Sequence, residues 1–334
     1  MNPNLILHIG RQKTGTTAIQ SHLSHWRDVL ADTGIWYPES PGGQIAHHDL
    51  AQAIESNEVR GSGWKDIVDQ TRESTTASTT VLSSEAFQRT EAARVAEVVS
   101  GLSVEVIVFV REHYRSAQSS YCQAVHARPV TFDFDAFLSR KPVLLSNFLE
   151  SWTTAFGTEA IRARAYPPES GDVRLDFAEL ARLPKLEPSE QTLSNPSIGG
   201  PLLEFKLTLN RMELPEAELR SFYRSFATLA SENPRYRQPA VASPEGRERY
   251  LMAVAEDREQ LKATFGIALH PVEGPAVHDF AAEGFAGEAG QIAERWSVVA
   301  PASFANLQRL VQAAANPQPP SWTSEMQAIL EAVG

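Results

Sequence analysis

The sequence predicts an α/β fold: a parallel sheet flanked by helices on both faces, with a helical C-terminal extension. Three observations carry this. Short apolar runs rich in β-branched residues, Leu5-Ile6-Leu7-His8-Ile9, Val81-Leu82-Ser83-Ser84 and Val104-Glu105-Val106-Ile107-Val108-Phe109-Val110, alternate with stretches of helical period. Strands apolar on both sides need helices on both sides, as in parallel sheets. A glycine-bracketed loop, Gly10 to Gly15, joins the first run to a helix start, and beyond about residue 170 the periodicity is helical almost throughout.

The elements follow in order. Ile19, Leu23, Trp26 and Leu30 recur at helical spacing, predicting a helix from Thr16 to about Ala31 that Gly34 closes. Ile35-Trp36-Tyr37-Pro38 reads as a short strand ended by proline, and the Pro/Gly-rich loop from Glu39 to Gln44 delivers His47, His48 and Asp49 to a helix start. Helices are expected over 48–56, 63–73 and 91–99, the last preceding the strand 104–110. Phe148 to Phe156 reads as a helix stopped by Gly157, and Ile161-Arg162-Ala163-Arg164-Ala165-Tyr166 alternates as a strand. Helices are then expected over 201–212, 215–231, 245–265, 304–314 and 322–332. The domain reading is one α/β domain over residues 1–270 and a helical extension over 271–334 packed on it, able to cover a site or form a homodimer contact.

Composition narrows the function. With 334 residues and 42% hydrophobic content the chain can bury a full core. The net charge of −11 is spread along it, residues 1–130 holding 11 basic and 14 acidic side chains. That argues against charge-driven binding to nucleic acid or anionic lipid. An anionic ligand must then be held by local cations and backbone amides. Cys122 is the single cysteine, so neither an intramolecular disulfide nor a multi-cysteine metal site is available. The N-terminus shows no secretory pattern and no apolar run reaches membrane-spanning length, which makes a cytoplasmic protein the expectation.

The loop Gly10-Arg11-Gln12-Lys13-Thr14-Gly15-Thr16-Thr17 has the make-up of a phosphate cradle. Two glycines allow tight turning and close approach, Lys13 adds a charge, and the N–H groups opening the next helix point at an anion. A nucleotide-triphosphate loop, G-x-x-x-x-G-K-[ST], puts lysine after the second glycine, whereas Thr16 holds that slot here. In open α/β sheets ligands bind at the carboxyl ends of the strands. Gly10, Glu85 and Arg111 each follow a strand directly and should converge there. If a helix begins near Tyr114, Arg111 and Ser119 could grip one phosphate from two sides, a pairing suited to a monoester.

These residues resemble sulfotransferases that use 3′-phosphoadenosine 5′-phosphosulfate (PAPS). The segment His8 to Thr17 is similar to that family's 5′-phosphosulfate loop. Arg111 and Ser119, eight apart with Tyr121 two further on, resemble its 3′-phosphate motif, R-x-P-x-x-R-x-x-S-x-Y, although His113 replaces the proline and Ser116 the second arginine. Gly34-Ile35-Trp36-Tyr37-Pro38, His47-His48-Asp49-Leu50-Ala51, Leu82-Ser83-Ser84-Glu85-Ala86-Phe87, Trp152 to Gly157 and Asn195-Pro196-Ser197-Ile198 are similar to bacterial carbohydrate-type members. The resemblance implies a P-loop NTPase-like fold and an EC 2.8.2 reaction, sulfonate transfer from PAPS to a hydroxyl of a carbohydrate or other small polar acceptor, releasing the bisphosphate PAP. It implies Arg11, Gln12, Lys13, Thr14, Gly15, Thr16, Thr17, Arg111 and Ser119 as donor-binding residues. Lys13 would stabilise the leaving phosphate, and Glu85 or His48 would serve as general base. No metal is expected, because the donor carries no triphosphate.

Plainer readings stand beside these. Glu85 could cap a helix, His47 and His48 could cap the helix from Asp49, Arg111 could be a salt-bridge partner, and His8 reads as a core histidine. A kinase-like P-loop phosphotransferase using ATP is the rival activity, one substitution from its loop motif; against it, no apolar strand ends in an aspartate placed to hold magnesium. A binding protein that lost its base is the third reading.

Overall fold

The structure is a computed structural model describing residues 4–11, 13–59, 62–73, 78–167, 171–188, 197–271, 284–316, 319 and 321–334. By contacts the chain forms two compact units. The first takes residues 1–112, 143–193 and 254–270, and the second takes 113–142, 194–253 and 271–334. This differs from a division at residue 270. The C-terminal helices belong to a unit that also draws on two internal segments.

In the first unit, β1 (Leu5–His8), β2 (Ile35–Trp36), β3 (Thr79–Ser83), β4 (Val104–Arg111) and β5 (Ile161–Tyr166) form one sheet in the order β2-β3-β1-β4-β5. Every pairing is parallel: Leu5 lies opposite Thr80 and Val104, and Arg111 opposite Tyr166. All five carboxyl ends therefore share one edge. Alternation along the strands builds two cores. Leu5, Leu7, Ile9, Leu82, Val106, Val108 and Val110 face one side, where they pack with α3 (His48–Glu55), α4 (Gly63–Glu73), α5 (Ala92–Val98), α8 (Leu145–Phe156) and Leu261 of α14 (Ala255–Phe265). Ile6, Val81, Ile107 and Phe109 face the other, with α1 (Thr16–His25), α2 (Arg27–Asp32) and α9 (Val173–Leu180). The expected fold, a P-loop-like parallel sheet clothed on both faces, is what forms.

The second unit is helical: α6 (His113–Ala127), α7 (Phe134–Leu138), α10 (Gly200–Arg211), α11 (Glu216–Ser221), α12 (Tyr223–Glu232), α13 (Pro244–Ala253), α15 (Gly284–Val299), α16 (Pro301–Ala314) and α17 (Ser324–Val333). Trp296 of α15 packs edge-on against Phe222 and Phe226, with centroids at 5.3 and 4.8 Å. The C-terminal helices thus complete a core with α12 rather than extending from a finished domain.

Three expected helices are broken in two, at Trp26, Phe222 and Val254, whose ψ values of 16°, −5° and 5° depart from the helical value. None of these breaks has a glycine or proline to announce it. The helices α7, α9 and α15 were not among those expected. α9 is started by Asp172, whose carboxylate accepts the Arg174 N–H at 2.9 Å, and α7 by Asp133, which accepts from Ala136 at 2.8 Å. At α8 the cap comes from far away: Asp257 accepts the N–H groups of Leu145 and Ser146 at 2.9 and 3.0 Å and the Ser146 hydroxyl.

Candidate active site

The connection leaving β1 runs toward β2 on one side and that leaving β4 runs to β5 on the other. The mouth between β1 and β4 is therefore a switch point, where such sheets form a ligand crevice. The loop 10–17 rises from β1 there, and Arg111 ends β4.

Backbone constraints explain the loop's sequence. A Cβ on Gly10 would lie 2.6 Å from the Thr16 methyl and 2.7 Å from its hydroxyl, so only glycine lets the loop fold back onto α1. Gly15 takes φ +76° as the N-cap of α1, and a Cβ there would meet Val173 at 2.6 Å. Lys13 also adopts a left-handed backbone, φ +62°, which is costly for a residue with a Cβ and concentrates at ligand clamps. No side chain caps α1, a helix of ten residues with no acidic residue in its first turn. Its opening N–H groups form the positive end of a helix, suited to an anion.

The side chains divide their work. Thr14 and Thr16, both buried, donate their hydroxyls to the Arg11 carbonyl at 2.7 and 3.3 Å and so close the loop on itself. The hydroxyl of Thr16 is thus engaged inside the loop, and its backbone N–H is what it offers outward. Thr17 is exposed. The Arg11 guanidinium lies over the Phe148 ring of α8 at 4.7 Å, and burial lowers its pKa while the charge of Asp257 opposes that shift. Arg111 donates to the Lys13 carbonyl at 3.3 Å and lies 5.9 Å from the Tyr166 ring centre. The end of β4 therefore braces the strained residue of the β1 loop, joining two predicted site residues 98 positions apart.

The end of β3 gathers the candidate bases. His47 is buried and held twice: its Nδ1 accepts the Ser83 N–H at 2.9 Å, and its Nε2 donates to the Pro38 carbonyl at 3.0 Å. With its own N–H donating to the Ser83 carbonyl, His47 is a structural residue, and burial takes its pKa down to about 4. It does not cap α3 through its side chain. His48, half-buried at the first position of α3, has Nδ1 2.8 Å from the Ser84 hydroxyl. Ser84, not Glu85, caps the 3₁₀ turn Glu85–Arg89 by accepting the Ala86 N–H. Glu85 follows in the first position of that turn, half-buried, so the serine bonded to His48 is the residue directly before Glu85. Nothing in the sequence assigned Ser84 a role, although a serine between a strand and a helical turn is an N-cap signal.

His8 behaves as a core histidine in part. Its Nδ1 is 2.8 Å from the Ser83 hydroxyl, its ring lies among Phe109 and Phe177, and its Nε2 is buried without a partner among the described residues. Burial lowers its pKa to about 3.

Ser119 lies in the second turn of α6, in the second unit. Gln12, Asn195 and Pro196 lie outside the described residues. Among the described residues no three His, Cys, Asp or Glu side chains gather as a metal site, and no helix is long and apolar enough to cross a membrane. A hollow of about 740 Å³ lies among α3, α4 and α5 and touches none of the site residues. Its cations are already engaged, Arg72 and Lys65 both with Asp69 and Arg94 with Glu91.

Among solved structures, a sulfotransferase from Alicyclobacillus acidocaldarius is similar over 80% of this chain and 98% of its own, with a TM-score of 0.46 and 13% sequence identity. A likeness this distant does not extend to activity. No protein-family model and no curated protein matches the chain.

Proposed function

We propose that this chain is a sulfotransferase that moves the sulfonate group of PAPS to a hydroxyl of a carbohydrate or other small polar acceptor. The observation that carries the reading is the loop 10–17. Its left-handed Gly15 opens an uncapped ten-residue helix, and its left-handed Lys13 is braced by Arg111 from β4. That arrangement fits an anion smaller than a magnesium-bound triphosphate, with the lysine inside the loop rather than after it.

In this reading Lys13 and the N–H groups of Gly15, Thr16 and Thr17 hold the 5′-phosphosulfate, assisted by Arg11, Gln12 and Thr14. Arg111 and Ser119 hold the 3′-phosphate. Transfer forms an acceptor O–S bond and breaks the S–O bond to the 5′-phosphate, leaving the electron pair on the phosphate oxygen. Lys13 stabilises that growing charge, and preorganised cations and N–H donors are the most effective means a site has for doing so. The acceptor's proton passes to a general base, Glu85 or His48, both at the β3 mouth. The step calls on no metal.

Titration calorimetry tests the donor. The desulfonated product PAP should bind with a Kd in the micromolar range, on the order of −8 kcal/mol, and Lys13→Ala and Arg111→Ala should each abolish measurable binding. Preference for ATP with magnesium over PAP would overturn the reading in favour of a kinase.

A further inference from the structure

Glu85 and His48 both stand at the β3 mouth as candidate bases, and the hydrogen-bond inventory of Ser84 separates them. A serine hydroxyl has one proton to give and two lone pairs to receive with. Ser84 is fully buried, and its Oγ already accepts the Ala86 N–H at 3.0 Å. Its remaining partner among the described residues is His48 Nδ1, at 2.8 Å.

Two arrangements are open to that contact. If His48 Nδ1 carried the proton, Ser84 would accept twice and its own proton would point into a buried space with no acceptor, an arrangement folded proteins avoid. If Ser84 donates to Nδ1, every group in the chain Ala86 N–H, Ser84 Oγ, His48 Nδ1 is satisfied. The neutral imidazole then carries its proton on Nε2. A ring in that tautomer has no lone pair left to take a proton from a substrate, so it is a hydrogen-bond donor.

We infer that Ser84 is a positioning residue that fixes neutral His48 as an Nε2–H donor. Resting on the sulfotransfer reading, this makes Glu85 the group that receives the acceptor's proton, while the imidazole N–H orients an oxygen of the acceptor or of the sulfonate in flight. Glu85 suits the task geometrically. It heads the 3₁₀ turn that Ser84 caps, so the same serine sets the position of the base and the tautomer of its neighbour.

The tautomer is measured directly by long-range ¹H–¹⁵N correlation spectra of the uniformly ¹⁵N-labelled full chain, above the pH at which histidines ionise, with His48→Gln to assign the signals. A pyridine-type Nδ1 and a pyrrole-type Nε2 are expected for His48, and the reverse pattern would overturn the inference. In Ser84→Ala the two nitrogens should move toward averaged shifts, and Ser84→Thr, which keeps the hydroxyl, should restore them; a Ser84→Ala spectrum like that of the parent would also overturn it.

Turnover supplies the second arm. Glutamine at position 48 offers an amide N–H and cannot act as a base. His48→Gln should retain kcat/KM within about tenfold, whereas His48→Ala loses on the order of 10²-fold and Glu85→Gln on the order of 10²–10⁴-fold. A Glu85→Gln enzyme that turns over while His48→Gln is dead would overturn the assignment. If the wild-type chain transfers no sulfonate yet shows the Nε2–H tautomer, the reaction is wrong and the role of Ser84 stands.

Discussion

Acid should destabilise the first unit well before its carboxylates titrate, because two neutral histidines are sealed beneath the site. His47 and His8 are both fully buried, with pKa values lowered to about 4 and about 3. In the unfolded chain each returns to about 6.5, so below that pH the unfolded state binds protons that the folded state refuses. Stability is therefore complete above about pH 7 and falls as pH drops through 6.5 toward the folded values. At about pH 5 the unfolded histidines are nearly all cationic and the folded ones nearly all neutral, a difference of about 2 kcal/mol for each and about 4 kcal/mol for the pair. Buried His22, also held below its ordinary value, acts in the same direction. Urea unfolding followed by circular dichroism at about pH 7.5, 6 and 5 reads this loss as a falling midpoint. His8→Asn keeps a partner for Ser83 and removes one titration, so its pH slope should be shallower by about one proton. Unfolding free energies that agree within about 1 kcal/mol across this range would refute the reasoning, as would a His8→Asn slope equal to that of the parent.

Other outcomes follow from the loop and the long-range cap. Gly15→Ala places a Cβ at φ +76° and against Val173, and should cost about 1–2 kcal/mol from backbone strain alone; PAP affinity in calorimetry should fall with it, and Val173→Ala in the same chain should recover part of the stability. Asp257→Ala strips the acceptor from two N–H groups and a hydroxyl at the start of α8, and should lower the urea unfolding free energy by about 2–4 kcal/mol. His47→Phe fills the volume but leaves the Ser83 N–H and the Pro38 carbonyl unpaired, a loss of about 2–4 kcal/mol visible as a lower Tm.

The sheet was legible because each strand is a short run whose alternate residues serve two different cores, a pattern with few other uses. The loop was legible because its glycines are demanded by clashes at fixed positions, Thr16 against residue 10 and Val173 against residue 15. The roles of neighbouring histidines were not. His47 and His48 are chemically identical in sequence, and what separates them is Ser83 and Ser84, adjacent residues of which one presents a backbone N–H and the other a hydroxyl. Asp257 was illegible for a related reason, since its partners are more than 110 positions away. The helix α15 carries Gly284, Gly287 and Gly290, a poor local prospect that the packing of Trp296 overrides. Likewise the grouping of residues 113–142 with 271–334 reflects contacts that no composition shift marks.

The double hold on His47 has a consequence for how this chain meets other chains. β2 pairs with β3 only at Thr79 and Thr80, so on that flank the strand outruns its neighbour. At Ser83, three residues on and fully buried, one histidine takes both peptide groups that β2 does not reach, the C=O through its own backbone N–H and the N–H through its ring. It is a one-residue substitute strand. Peptide groups left open along a sheet margin are templates for a second chain. A side chain at position 47 without a ring acceptor leaves one buried N–H of that margin unpaired beside the crevice mouth, while the backbone bond to the Ser83 carbonyl stays, so the cost falls on the stability of the fold and the margin remains closed to a second chain.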